Sequence, residues 1–161
     1  MSQADIFLKI DTIEGESQDN KHKGELEIQS YSWGATNAGS ASVGGGLGTG
    51  KVQFQNFHFT MPVNKATDVL FLRCAEGKHI PKAVLTQRVA GGKQEDILSI
   101  EFKDLVVTSV QLGNSTGAGA GTIQVSLDFT EYKIQAYEQG KDGTTKKAGN
   151  TGWNVKTNVK V

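Results

Sequence analysis

The chain is poor in cysteine and proline: its 161 residues hold one Cys and two Pro. A lone Cys74 cannot close an intrachain disulfide, which fits folding in a reducing cytosol. No segment approaches the ~20 consecutive apolar residues of a spanning helix, so no membrane insertion is expected. A surplus of either charge is also missing, because 17 Lys and Arg balance 17 Asp and Glu. That balance argues against a nucleic-acid partner, which a clustered basic excess would mark. It also leaves little self-repulsion against association with further copies. The opening Met1-Ser2-Gln3-Ala4-Asp5 has neither a basic n-region nor an apolar h-region, so no conventional signal peptide is expected.

Catalytic and cofactor chemistry is absent in the same way. Gly45-Gly46-Leu47-Gly48-Thr49-Gly50-Lys51 matches the glycine and lysine positions of a phosphate-binding loop. The hydroxyl residue that would hold Mg²⁺ is replaced by Val52, and Val52-Gln53-Phe54 reads as a strand where a helix is required. His22, His58 and His79 have no His or Cys at ligand spacing, which leaves a zinc site unsupported. His22 and His79 are expected in solvated loops, and His58 on the face of its strand opposite Phe57 and Phe59. Glu14, Glu16 and Asp19 read as solvated loop carboxylates. No G-x-S-x-G elbow is present. No enzyme activity, metal or cofactor is expected.

What the chain does have is alternation and glycine. Its 20 glycines concentrate in residues 39–50, 113–121 and 140–152, which read as long loops. Elsewhere apolar residues recur with period two, the mark of half-buried strands. Ile6, Leu8 and Ile10 form one such set, and Leu26 and Ile28 another. Residues 83–90 and 97–102 flank Gly91-Gly92-Lys93 as a hairpin, and Leu105-Val106-Val107 reads as a strand covered on both faces. The alternation slips by one residue near Asn56 and again between Phe129 and Tyr132, as in strands that bend from one sheet into another. One helix is predicted over about residues 64–76, with Ala66, Val69, Leu70 and Cys74 inward, Asn64 as N-cap and Gly77 as the stop. The expected architecture is mainly β: a single domain over 1–161, with a compact barrel-like pair of packed antiparallel sheets, one helix and long Gly-rich loops. Trp33 and Trp153 are expected as core aromatics at strand ends.

Several ordered motifs carry a resemblance. Ile6-Phe7-Leu8-Lys9-Ile10 with Gly15-Glu16-Ser17, Tyr31-Ser32-Trp33-Gly34, Gly77-Lys78-His79-Ile80-Pro81-Lys82-Ala83, Leu85-Thr86 with Ala90-Gly91-Gly92, and Gly152-Trp153-Asn154 together resemble the Hcp family, the haemolysin-coregulated proteins of type VI secretion. Asn154 stands where many relatives carry Asp, and Thr67-Asp68 where many carry a Ser/Thr-Pro pair. The resemblance implies a fold similar to phage tail-tube proteins and a homohexameric ring that stacks into a tube. It also implies a spike protein, a contractile sheath and small effector proteins as partners. Such a protein is made in the bacterial cytoplasm and expelled by the type VI machine without a cleavable signal peptide.

Within that frame two sets of residues stand out. Ser30 and Ser32 follow Leu26 and Ile28 by alternation, and the resemblance places their segment near the channel, so they are the candidate effector-facing positions. Gly39, Val43, Gly44, Gly45, Gly46, Leu47, Gly48, Thr49 and Gly50 are the candidate contacts between subunits or rings, since glycine lets backbones approach closely. The competing readings are a monomeric ligand-binding β-barrel, which would need a concave apolar pocket, and a phage-like tail-tube protein.

Overall fold

A computed structural model describes residues 4–39, 51–89, 94–142 and 144–161. In chain order the elements are β1 (Ala4–Ile10), β2 (Leu26–Glu27), β3 (Ser30–Ser32), β4 (Ala35–Asn37), β5 (Val52–Phe54), β6 (Phe57–Pro62), α1 (Thr67–Glu76), β7 (Ile80–Val89), β8 (Asp96–Gly113), β9 (Thr122–Gln139), β10 (Thr145–Asn154) and β11 (Val159–Lys160). Every pairing is antiparallel. The expected mainly-β architecture with two sheets and one helix is present, but the sheets are unequal. One has nine strands in the order β11-β10-β9-β8-β7-β1-β2, with β6 joining β9 to β3; the other is the two-stranded β4–β5 ribbon.

The large sheet curls almost into a barrel. β1 pairs with β7, β7 with β8, β8 with β9, β9 with β6 and β6 with β3, while β2 returns to β1. The gap between β2 and β3 is crossed by the chain itself: Ile28 N–H bonds Ile6 O at 3.1 Å and Gln29 N–H bonds Thr60 O at 2.8 Å. The wall is therefore barrel-like without being a closed barrel. Its interior is filled by side chains such as Leu8, Phe57, Phe59, Leu85, Phe102 and Leu127, each at most 1% exposed, as small barrels require.

Both slips of alternation have a structural cause. Near Asn56 the chain leaves the ribbon as β5 and enters the large sheet as β6. Between Phe129 and Tyr132 the inward side of β9 changes, and β8 changes at the same level, from Phe102 to Leu105. There Asp104 holds φ of 51°, and Thr130 Oγ1 donates toward Asp104 O and Oδ2, both at 3.1 Å. The stretch 97–102 and Leu105-Val106-Val107 are one strand, and Val106 is partly exposed where cover on both faces was expected. The residues flanking the 91–93 turn pair as a hairpin, with Val89 N–H on Glu95 O at 2.9 Å; the turn itself lies outside the described residues.

α1 begins later than predicted. Its N-cap is Ala66, with no side-chain cap. Asn64 instead closes a preceding turn, its Oδ1 accepting from Ala66 N–H at 2.8 Å. Gly77 ends the helix as expected, at φ 62° with its N–H on Arg73 O. The polar stretch after β1 is not a free loop either. It lies across the outer face of β1 and β7, where Arg88 is 2% exposed and is held by Asp5 and Asp19. His22, expected to be solvated, stacks on Phe7 at 4.4 Å and bonds Glu25 Oε2 at 2.8 Å. Asp19 is likewise half-buried where a solvated carboxylate was expected, whereas Glu14 and Glu16 are exposed.

Candidate functional site

Ser30 and Ser32 are both exposed, but for a different reason from the one alternation supplied. Leu26 and Ile28 are buried, so an unbroken alternation would have buried the serines with them. The crossing at Ile28-Gln29 shifts the phase by one, and Tyr31 turns toward the core in their place.

Strand pairing then sets the serines into two transverse rows. Ser32 stands opposite His58, His58 opposite Ser126 and Ser126 opposite Ser109. Ser30 stands opposite Thr60, Thr60 opposite Gln124 and Gln124 opposite Gln111. Short hydrogen bonds lock neighbours together: Ser30 Oγ and Thr60 Oγ1 at 2.6 Å, and His58 Nδ1 and Ser126 Oγ at 2.6 Å. The rows face a shallow depression of about 400 Å³, and no Lys, Arg, Asp or Glu is among its lining residues. The other side of the same strands carries Phe57, Phe59, Met61, Ile123, Val125 and Leu127, all buried. The result is a strip of polar groups free of Lys, Arg, Asp and Glu on a buried apolar backing. His58 lies, as expected, on the face opposite Phe57 and Phe59, whereas Thr60, Ser109, Gln111, Gln124 and Ser126 carry no such expectation from the sequence. Their polar character alternates visibly within each strand, but only the pairing register makes them neighbours.

The strip has two lateral edges. β8 pairs with β7 only as far as Leu105, and from Val106 to Gly113 its outer edge has no strand partner among the described residues. At the other side β3 pairs with β6 alone.

The β4–β5 ribbon flanks the second candidate set in sequence. Asn37 pairs with Val52 across that ribbon. Gly39 has φ of 62° and donates its N–H to Asn37 Oδ1 at 3.1 Å. Val43, Gly44, Gly45, Gly46, Leu47, Gly48, Thr49 and Gly50 lie outside the described residues. A strand follows at Val52, not the helix that a phosphate-binding loop would need. Among the described residues no three His, Cys, Asp or Glu side chains gather as a metal site, and no helix is long and apolar enough to cross a membrane.

At the ribbon's base Trp33 meets Phe102, Phe129 and Tyr132 edge-on, with centroids 4.9 to 5.6 Å apart, and its Nε1–H bonds Gln55 O at 3.0 Å. Trp153 is only partly buried, and its shielded Nε1 has no hydrogen-bond partner. Cys74 is partly buried and packs on the core.

Comparison with known proteins places this architecture. Residues 7–136 match the family model described as type VI secretion system effector, Hcp. The protein hcp1 of Pseudomonas aeruginosa is 40% identical over 160 residues, covering 98% of each chain. A solved type six secretion system protein superposes with a TM-score of 0.93 at 27% identity, covering 99% of this chain and 100% of that one. Hcp1 from Salmonella typhimurium does so with a TM-score of 0.79 at 34% identity, covering both chains fully. A strip of polar side chains on a curled antiparallel sheet is thus found in a chain that belongs to the Hcp family of type VI secretion proteins.

Proposed function

We propose that this chain is the tube subunit of a type VI secretion system, acting by assembly and not by catalysis. Copies join head to tail into a homohexameric ring, and the rings stack into a channel driven out by a contractile sheath behind a spike. The observation that carries this reading is the strip of β3, β6, β9 and β8, whose two edges, unpaired among the described residues, lie at opposite sides. A head-to-tail contact joins two different patches of one chain and closes when the rotation returns to the start. Setting the β3 edge of one copy beside the β8 edge of the next continues the polar rows around a ring.

Those rows then face the channel. They lack the Trp and Arg anchors that dominate tight interfaces, so a small effector protein is held weakly and can leave. Ser30 and Ser32 are the effector-facing positions in this scheme. The glycine segment from Gly39 to Gly50 supplies contacts between subunits or rings, its order acquired on assembly at ~1–2 kcal/mol per residue fixed. The single-domain chain leaves the cytoplasm through the machine it builds.

A monomeric ligand-binding barrel is disfavoured by an interior already filled with Phe57, Phe59 and Phe102. Electron microscopy of the purified protein tests the reading. Six-fold rings with an open centre are expected, whereas a monodisperse monomer at micromolar concentration overturns it.

A further inference from the structure

α1 lies where the ring contact would form. Val63 N–H bonds Gly121 O at 3.1 Å, which puts the approach to the helix at the tip of the β8–β9 hairpin. The chain re-enters the sheet at Ile80, opposite Leu105, midway along β8. Between these points the helix packs chiefly on β8, whose outer edge has no strand partner from Val106 to Gly113 among the described residues. Ala66 and Leu70 are fully buried beneath it, yet Phe71 is 42% and Leu72 54% exposed. Leu112, near the end of β8, is 56% exposed although its cross-strand partner Ile123 is fully buried. Cover on the core side of the sheet therefore gives out at this edge.

We infer that Phe71, Leu72 and Leu112 form the apolar seat that receives a second copy of this chain within the ring, an inference that rests on the tube reading above. An unpaired edge calls for a strand, and a second copy brings one, since β3 is unpaired on the opposite side of the same strip. The edge from Val106 to Gly113 is ~26 Å long. With a helix ~10 Å across beside a sheet layer of similar depth, the face covers roughly 500 Å² per copy. Two such faces reach about 1,000 Å², the lower bound for a biological interface. Large apolar side chains beside such an edge give that area its affinity, because burial from water rewards them most.

The test compares native mass spectrometry and mass photometry of the wild-type chain, Phe71→Ser/Leu72→Ser/Leu112→Ser, and a control, Val159→Ser/Val161→Ser, which removes exposed apolar groups elsewhere. The wild type and the control are expected as rings. The triple variant is expected to need about 100-fold more protein to form them. Circular dichroism checks the fold of each, and Leu72→Ser alone, with an expected shift of about 10-fold, serves if the triple variant melts early. Rings at wild-type concentration in both seat variants overturn the inference and leave the tube reading standing. Rings that form normally but no longer stack also overturn it, by moving the seat to the stacking face. A monomeric wild type overturns the tube reading and the inference together.

Discussion

The guanidinium of Arg88, 2% exposed, bonds the carboxylate of Asp19 across 69 positions of sequence. Asp5 takes a second share of the same charge at 3.4 Å, and the Phe7 ring lies 4.8 Å beneath it. This pair fastens the segment between β1 and β2 to the outer face of the sheet. The bond from Arg88 lowers the Asp19 carboxyl from 3.8 to about 2. A carboxylate depressed on folding stabilises the fold fully above its ordinary value, and that contribution is lost as pH falls through the folded value. Stability of the wild type should therefore drop between about pH 4 and pH 2, and Asp19→Asn should flatten that drop in acid-unfolding curves. Arg88→Met should cost about 2–3 kcal/mol in urea unfolding at neutral pH, since charged hydrogen bonds are lost and two carboxylates are left facing each other.

Phe102 is 1% exposed and touches Trp33, Phe57 and Phe129, with centroids between 4.9 and 5.3 Å. Its removal empties the point where ribbon, barrel wall and core meet. Phe102→Ala should destabilise by about 3–5 kcal/mol. The fluorescence of Trp33 should shift to the red in the folded variant, as water reaches the cavity.

Gly152 is buried in β10 opposite Lys133. A methyl group there would collide with the Tyr132 carbonyl oxygen and meet the side chains of Lys133 and Val161. The obstacle is main chain and cannot rotate away. Gly152→Ala should lower stability by about 1–3 kcal/mol, whereas Gly149→Ala, which meets nothing within 4 Å, should change the melting temperature little.

Ser32 pairs with His58 at the end of one polar row and is exposed. Ser32→Gln adds bulk on the strip without touching the buried side of β6. Rings of unchanged size are expected, with an effector recovered at least about tenfold less in co-purification, one hydrogen-bonded contact being worth about that factor. Equal recovery would remove Ser32 from the effector-facing set.

How much of this was legible beforehand differs by element. The alternation in β1, β6 and β9 named the core residues, because period two is a local property of a strand with one wet face. The Gly77 stop was legible for the same reason, since a left-handed residue after a helix needs no tertiary partner. The Asn64 cap was misread because Asn also closes turns. The alternation that points to Ser30 and Ser32 breaks at Ile28-Gln29, and no local signal marks that break.

The sequence alone determined a mainly-β chain with one helix, no disulfide and no charge excess, and its ordered motifs pointed to the family. Tertiary structure alone decided that Ser30, His58, Ser109, Gln111, Gln124 and Ser126 share one face, that Arg88 reaches Asp19, and that the edge of β8 away from β9 has no strand partner beyond Leu105 among the described residues. Propensity and period act over a few residues, whereas these relationships depend on which strands pair and in what register. Packing of the whole chain sets that register.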